Sequence, residues 1–130
     1  MQLKTGLIGT GLWGRTHAMA YRDHPSARLV AVCDTDEARR IAFAEEFGIE
    51  RAYATAEELA NDPDVEAVSV ATPDFAHTGP AMAVIDAKKP LLIEKPLATT
   101  VDDARAIRDA ADAAGILAMV DFHNRFNPQF

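Results

Sequence analysis

Short apolar runs alternate along this chain with longer segments in which apolar residues recur at helical spacing. The apolar runs predict about six β-strands, at residues 3–8, 28–33, 52–54, 67–71, 91–93 and 116–122. The segments between them predict helices at residues 13–22, 37–47, 79–87 and 101–114, with a shorter one after Thr55. Several strands are apolar on both faces, and such strands occur in parallel sheets that helices cover on both sides. The pattern therefore predicts an α/β fold, a Rossmann-type doubly wound parallel sheet.

Local signals mark the ends of several predicted helices. Thr55 and Glu58 have the spacing of a capping box, in which side chains and backbone bond reciprocally at a helix start. Gly48 and Gly115 follow two of the predicted helices, where a residue in the left-handed conformation commonly ends a helix. Pro80 is compatible with a helix only in the first turn.

The chain has the size and composition of one folded domain. It has 130 residues, of which 48% are hydrophobic and 25% charged, close to the globular average and unlike a disordered chain. We expect one domain over residues 1–122 that ends in a buried strand. Residues 123–130, which include Asn124 and Arg125, are predicted to form an exit segment toward a part of the protein that this sequence does not contain.

The charge balance bears on the class of partner. The chain has 13 basic and 20 acidic residues and a net charge of −7, which disfavours nucleic acid and anionic lipid as partners. No apolar run approaches the roughly 20 residues that a membrane-spanning helix needs. The N-terminal residues lack the longer apolar stretch and cleavage site of a signal peptide, so we expect a cytoplasmic protein without membrane contact.

Cysteine and histidine usage argues against several chemistries. Cys33 is the only cysteine, which excludes a disulfide framework and a cysteine-built zinc site and favours a small apolar core residue. The four histidines have no carboxylates at metal-ligand spacing, so no metal site is predicted. Among them, His17 is expected at the surface or core edge of the first helix rather than as a ligand. A nucleophile elbow, a P-loop and a Cys-x-x-Cys motif are all missing.

A glycine-rich motif connects the first predicted strand to the first predicted helix. Its sequence is Gly9-Thr10-Gly11-Leu12-Trp13-Gly14. In a dinucleotide-binding unit, Gly9 permits the tight turn, Gly11 lets the backbone approach a pyrophosphate, and Gly14 permits close helix packing. The start of the helix adds free N–H groups and a positive dipole end. Trp13 lies either beside the ligand or packed over the first helix.

An acidic residue completes the dinucleotide signal. Asp34 follows Gly14 by 20 residues, at the end of the second strand, where a carboxylate accepts hydrogen bonds from the adenosine ribose. A carboxylate there repels the 2′-phosphate of NADP, so NAD is favoured. Thr35 and Arg39 adjoin this position. The positive charges of Arg39 and Arg40 could weaken the preference for NAD over NADP, so NADP stays an alternative. A methyltransferase that uses S-adenosylmethionine and a turn without ligand also remain open on this evidence.

A second motif, Glu94-Lys95-Pro96, follows the fifth strand. The carboxyl ends of strands form the ligand crevice in doubly wound sheets, so both charged side chains are placed for chemistry. The Lys95 ammonium could orient a substrate hydroxyl and ease its deprotonation during hydride transfer. A surface ion pair worth about 0–1 kcal/mol is the alternative explanation.

The order of these motifs resembles a known family. The glycine loop, Asp34, the segment Ala71-Thr72-Pro73-Asp74-Phe75-Ala76-His77 and Glu94-Lys95-Pro96 together resemble the N-terminal domain of the glucose–fructose oxidoreductase / inositol dehydrogenase family (Gfo/Idh/MocA). The closing residues 124–128 resemble that family's passage out of its nucleotide-binding domain. The resemblance implies an NAD(P)-dependent oxidoreductase acting on sugars, cyclitols or related polyols.

The resemblance also implies residue roles. It makes Lys95 the catalytic lysine, in contact with substrate and the nicotinamide ribose, and Glu94 a residue that helps to hold the cofactor. The remaining cofactor contacts that it implies are Ala71, Thr72, Pro73, His77, Asn124 and Arg125. The family's C-terminal α+β domain supplies the substrate pocket and much of the oligomer interface, and it is absent from these 130 residues. We therefore expect dinucleotide binding rather than complete catalysis, with a non-catalytic dinucleotide-binding or protein-interaction module as the alternative and homo-oligomers left open.

Overall fold

The computed structural model describes all 130 residues. Its strands are β1 (Leu3–Ile8), β2 (Ala27–Cys33), β3 (Arg51–Tyr53), β4 (Ala67–Val70), β5 (Leu91–Glu94) and β6 (Ala118–Asp121). Its α-helices are α1 (Leu12–Asp23), α2 (Glu37–Phe47), α3 (Ala56–Ala60), α4 (Thr78–Asp86) and α5 (Val101–Ala114). Two short 3₁₀ turns, Asp74–Ala76 and His123–Phe126, complete the chain and were not predicted from its sequence.

The six strands form one parallel sheet in the order β3-β2-β1-β4-β5-β6. The chain first builds outward from β1 to β3 and then returns to place β4 on the other side of β1. This reversal creates a crevice at the carboxyl ends of β1 and β4, where ligands bind in doubly wound sheets. The predicted Rossmann-type α/β fold is confirmed.

Alternate residues of the central strands enter two separate cores. Leu7 and Val32 pack on one face with Phe43, so α1 and α2 cover this side of the sheet. Their neighbours Ile8 and Cys33 belong to the larger core on the other face, which residues of α3, α4 and α5 complete. The period of two along a strand thus fills both sides of the sheet, as continuous apolar strands require.

The predicted helix signals are present in the structure. Thr55 and Glu58 form a reciprocal capping box at the start of α3. Gly48 and Gly115 end α2 and α5 in the left-handed conformation, with φ of 66° and 67°. Pro80 lies in the first turn of α4, where its missing N–H costs no helical hydrogen bond.

The last strand differs from the prediction. It was expected to be buried, but β6 pairs only with β5 and forms an edge of the sheet. Ala118 and Met119 are exposed on it. Its apolar sequence does not distinguish an edge from a centre, because strand order depends on tertiary packing. None of the helices combines the length and the apolar character needed to cross a membrane.

Candidate functional site

A cleft of about 730 Å³ opens at the carboxyl ends of β1, β2 and β4. This volume lies within the range of ligand and cofactor pockets. The predicted site residues that line it are Gly9, Gly11, Leu12, Trp13, Asp34, Thr35, Arg39, Ala71, Thr72 and Pro73. The remaining predicted site residues lie outside its lining: Thr10, Gly14, His77, Glu94, Lys95, Asn124 and Arg125.

The backbone of the glycine loop accepts no side chain at two positions. Gly9 has a φ of 97°, and a Cβ there would lie 2.7 Å from the carbonyl group of Ala71. A Cβ on Gly14 would lie 2.0 Å from the Gly9 carbonyl oxygen, so the helix packs directly on the loop. At Gly11, by contrast, no atom lies within 4 Å of the added Cβ. The middle of the loop therefore faces open space in the cleft, where a bound group fits.

The loop leads into the N-terminus of α1, where no side chain of the protein supplies a negative charge. Gly11 is the N-cap residue, no side chain caps the helix, and its first turn contains no acidic residue. The first N–H groups of an α-helix have no partner within the helix, and they favour negative charge together with the helix dipole. A pyrophosphate fits this position chemically.

Asp34 stands at the end of β2 with its carboxylate already oriented. One oxygen, Oδ2, accepts the backbone N–H of Thr10 at 3.0 Å and the Thr10 hydroxyl at 2.7 Å. The other, Oδ1, accepts the backbone N–H of Asp36 at 2.9 Å. Arg39 brings its Nε to 3.7 Å from Oδ2, whereas the Arg40 guanidinium donates to the Asp34 backbone carbonyl. The sequence analysis places Thr10 in the glycine loop but does not identify its hydrogen bonds to Asp34.

These contacts fix the charge of the carboxylate. Burial acts to raise the pKa of the Asp34 carboxyl, but the hydrogen bonds from Asp36 and Thr10, together with the Arg39 charge, lower it below its ordinary value. Asp34 is therefore ionised at neutral pH. An ionised carboxylate accepts ribose hydroxyls and repels a 2′-phosphate in the same place.

Glu94 ends β5 as a buried carboxylate with a histidine partner. His17, on α1, donates from Nε2 to Glu94 Oε1 at 2.9 Å, and both residues are more than nine-tenths buried. Glu94 Oε2 accepts the backbone N–H of Lys95 at 3.2 Å. Asp121 pairs with Glu94 in the β5–β6 register and places its Oδ2 3.8 Å from His17 Nε2.

The sequence analysis missed this grouping around His17. The potential metal-ligand atoms of His17, Glu94 and Asp121 lie within 4.8 Å of one another. Two carboxylates therefore do lie beside a histidine, which the spacing of these residues in the sequence did not predict. The 2.9 Å contact is a hydrogen-bond distance, which indicates a proton between His17 and Glu94. The buried α1 residues Gly14, His17 and Ala18 have the i, i+3, i+4 spacing of a core-facing stripe. That spacing was the available signal for the burial of His17.

His77 is buried behind the cleft. Its Nδ1 lies 2.8 Å from the Pro96 carbonyl oxygen and its Nε2 lies 3.0 Å from the Thr72 carbonyl oxygen. The ring therefore connects the loop after β4 to the loop after β5. The Thr72 hydroxyl donates to the Ala76 carbonyl within the same loop, at 3.0 Å.

The exit segment reaches back to the glycine loop. The rings of Trp13 and His123 lie 5.6 Å apart, so the turn His123–Phe126 packs beside the start of α1. Asn124 and Arg125 are exposed in this turn, and the Arg125 guanidinium lies over the Phe122 ring. Lys95 is also exposed, and its side chain has no hydrogen bond or ion pair with other groups of the chain.

A second cleft, of about 520 Å³, opens at the opposite end of the sheet. It is lined by residues at the amino ends of β1, β2 and β3, among them Lys4, Arg28 and Arg51. None of the predicted site residues lies there. Because ligands of doubly wound sheets bind at the carboxyl ends of the strands, the glycine-loop cleft is the candidate site.

Comparison with known proteins agrees with this geometry. A sequence model of the GFO_IDH_MocA family, described as an oxidoreductase family with an NAD-binding Rossmann fold, matches residues 3–122. The chain is 35% identical over 127 residues to D-apiose dehydrogenase of Paraburkholderia graminis, covering 98% of this chain and 34% of that protein. It is 38% identical over 133 residues to inositol 2-dehydrogenase 1 of Saccharopolyspora erythraea, covering 100% of this chain and 40% of that protein.

A solved structure extends the likeness to three dimensions. The crystal structure of myo-inositol dehydrogenase from Lactobacillus casei in complex with NAD(H) and myo-inositol superposes with a TM-score of 0.93 at 33% identity. The match covers 98% of this chain and 39% of that one. The chain thus spans between 34% and 40% of the length of these proteins. The chain belongs to the Gfo/Idh/MocA oxidoreductase family and comprises its NAD-binding Rossmann domain.

Proposed function

We propose that this domain holds a nicotinamide cofactor for the oxidation of a secondary alcohol, or the reverse reduction, on a sugar, a cyclitol or a related polyol. The observation that carries the proposal is that a glycine-loop cleft and an exposed lysine directly after β5 both lie at the carboxyl ends of the strands. The names D-apiose dehydrogenase and inositol 2-dehydrogenase support the substrate class. Complete catalysis is proposed to need, in addition, the part of these relatives that this chain does not match.

The cofactor is proposed to lie across the crevice with its adenosine over β2. Asp34 would accept a ribose hydroxyl, with Thr35 and Arg39 beside it, and the start of α1 would receive the pyrophosphate. The opposite, nicotinamide end would then lie along Ala71–Pro73 and toward β5, because the strands on either side of the switch point hold the two halves of a dinucleotide. Asn124 and Arg125 are proposed to approach that end from the exit segment.

Lys95 is proposed as the catalytic residue. The bound cofactor would supply the hydride acceptor or donor. The Lys95 ammonium would hold the substrate oxygen by a hydrogen bond and stabilise the negative charge that develops on it as the hydroxyl proton passes to a base supplied by the rest of the active site. Glu94 would support this position through the Lys95 backbone N–H.

NAD is proposed as the preferred cofactor, with weaker use of NADP. The ionised, partly buried Asp34 disfavours a 2′-phosphate, whereas the half-exposed Arg39 guanidinium beside it would attract one. Replacement of Asp34 by alanine is therefore expected to weaken NAD binding and to bring the affinity for NADP closer to that for NAD. Arg39→Ala is the matched variant and is expected to weaken NADP binding selectively.

A cofactor titration of the chain tests the proposal. NAD, NADP and S-adenosylmethionine are titrated separately, with binding followed by calorimetry and by thermal unfolding. NAD should bind most tightly, and at 100 times its dissociation constant it should add about 2.7 kcal/mol to the free energy of unfolding. In the complete protein that contains this domain, Lys95→Ala should lower turnover of polyols more than cofactor affinity. Unchanged turnover would remove Lys95 from the mechanism.

A further inference from the structure

The segment that carries Lys95 is held from both sides by buried imidazoles. On one side, His17 donates to Glu94 Oε1, and the other oxygen of the same carboxylate accepts the Lys95 backbone N–H. On the other side, His77 Nδ1 lies 2.8 Å from the Pro96 carbonyl oxygen. The two histidines come from α1 and from the turn before α4, so two separate elements hold the segment Glu94-Lys95-Pro96 at the end of β5.

Burial protects the hydrogen bonds of both histidines from water. The exposed fractions are 8% for His17, 5% for Glu94 and 1% for His77, so water does not compete for these hydrogen bonds. Lys95 itself is exposed, and its side chain has no polar partner within the chain. The buried groups therefore fix the backbone from which the Lys95 side chain extends.

His77 adds a connection to the cleft. Its Nε2 lies 3.0 Å from the carbonyl oxygen of Thr72, a residue that lines the cleft. Carbonyl oxygens only accept hydrogen bonds, so the ring donates to the carbonyl that faces its N–H group. The ring lies between the Thr72 loop and the Lys95 segment and is in contact with both.

We propose that His17 and His77 are positioning residues for Lys95 and for the nicotinamide end of the crevice. The inference rests on the proposed function, because it assigns Lys95 to the nicotinamide side. Asp34, which is proposed to hold the adenosine, lies on the other side of the switch point and has no contact with either histidine. Loss of a support should therefore affect the nicotinamide half of the cofactor and leave the adenosine half unchanged.

The test compares NAD with ADP, which lacks both the nicotinamide and its ribose, on the full chain by calorimetry. In His17→Leu and His77→Leu, the dissociation constant of NAD should rise about tenfold, equivalent to about 1.4 kcal/mol, and that of ADP should stay within about twofold. His24, exposed beyond the other end of α1, provides the matched control, and His24→Leu should change neither constant.

Conservative variants separate positioning from bulk stability. His17→Gln keeps an N–H donor near the Nε2 position, and His77→Asn keeps one near the Nδ1 position, so each should recover most of the NAD affinity. His17→Asn displaces the donor to Glu94, and His77→Gln removes the donor that faces the Pro96 carbonyl, so both should show the selective loss. These amide pairs decide the matter even if the leucine variants fail to fold.

A double-mutant cycle connects the effect to Lys95. Lys95→Ala alone should weaken NAD binding and leave ADP binding unchanged, and His77→Leu should then have little further effect on NAD binding in that background. Equal loss of NAD and ADP affinity, or unchanged NAD affinity in folded variants, would overturn the positioning role. Failure of the unmodified chain to bind either ligand would instead overturn the proposed function.

Discussion

Thr10 donates two hydrogen bonds to a single oxygen of Asp34, from its hydroxyl at 2.7 Å and from its backbone N–H at 3.0 Å. This pair joins the glycine loop to the end of β2 without any ligand. Each carboxylate oxygen has two lone-pair directions, so Thr10 occupies those of Oδ2. Asp36 occupies one direction of Oδ1, and the remaining one is free for a ribose hydroxyl.

Removal of the Thr10 hydroxyl should loosen this arrangement. Thr10→Val keeps the shape and the backbone N–H and deletes the 2.7 Å bond, which should lower the free energy of unfolding by about 1 kcal/mol and weaken NAD binding severalfold. Thr10→Ser keeps the donor and serves as the control. Urea unfolding and calorimetry measure both effects, and equal NAD affinity in the valine and serine variants would show that Thr10 does not orient Asp34 for the cofactor.

Two alanine substitutions in the same loop should differ in how much they lower the free energy of unfolding. In Gly14→Ala the new Cβ meets the Gly9 carbonyl oxygen at 2.0 Å, so the free energy of unfolding should fall by about 1–3 kcal/mol or more. In Gly11→Ala the Cβ meets nothing, and the cost should stay near the roughly 1 kcal/mol of an N-cap change.

Gly11→Ala should nevertheless lose most NAD binding, because its methyl group enters the space proposed for the pyrophosphate. Thermal unfolding and a NAD titration of both variants make the comparison. Full NAD affinity in a folded Gly11→Ala chain would mean that the cofactor does not approach the loop at this residue.

The lowered pKa of Asp34 predicts that the free energy of unfolding decreases at acidic pH. Its pKa is lower in the folded chain than the reference value of 3.8, so folding gains stability from the ionised form at pH values above 3.8. That gain is lost as the pH falls below 3.8 and through the lower pKa of the folded state. The difference in free energy of unfolding between the unmodified chain and Asp34→Asn should therefore shrink between about pH 5 and pH 2. A constant difference across this range would contradict the pKa assignment.

The Cys33 thiol should be unreactive toward thiol reagents while the chain is folded. Burial is the main cause that raises the pKa of its thiol to about 12, and the charge of Asp34 adds to it. The reactive thiolate is therefore rare at pH 8, and labelling with a disulfide reagent should proceed only as fast as the chain opens. NAD should slow the labelling further by stabilising the folded form. Rapid labelling that is independent of urea would show that the thiol is accessible from the cleft.

The parts of the site that the sequence predicted are those set by neighbouring residues. Gly9 and Gly14 are required by the backbone of one tight loop, and Asp34 follows the next strand at the spacing of a βαβ unit. Such constraints are local, so they remain visible in a linear pattern. The capping box at Thr55 and the left-handed Gly48 are predictable for the same reason.

The supports of the Lys95 segment were not predictable in this way. His17 and Glu94 are 77 positions apart, and only the packing of α1 on the sheet brings them together. Asp121 joins them because of the register between β5 and β6. The exposed edge position of β6 has the same origin, since strand order is decided by how the whole chain packs.

The most direct measurement is a NAD titration of the 130-residue chain, with the fluorescence of Trp13 as the probe. Trp13 is the only tryptophan and lines the cleft, so its signal reports the glycine loop itself. We predict saturable quenching by NAD, a weaker response to NADP, and loss of the NAD response in Gly11→Ala. The absence of any NAD response by fluorescence and by calorimetry in the folded chain would contradict the assignment of the glycine-loop cleft as the dinucleotide site.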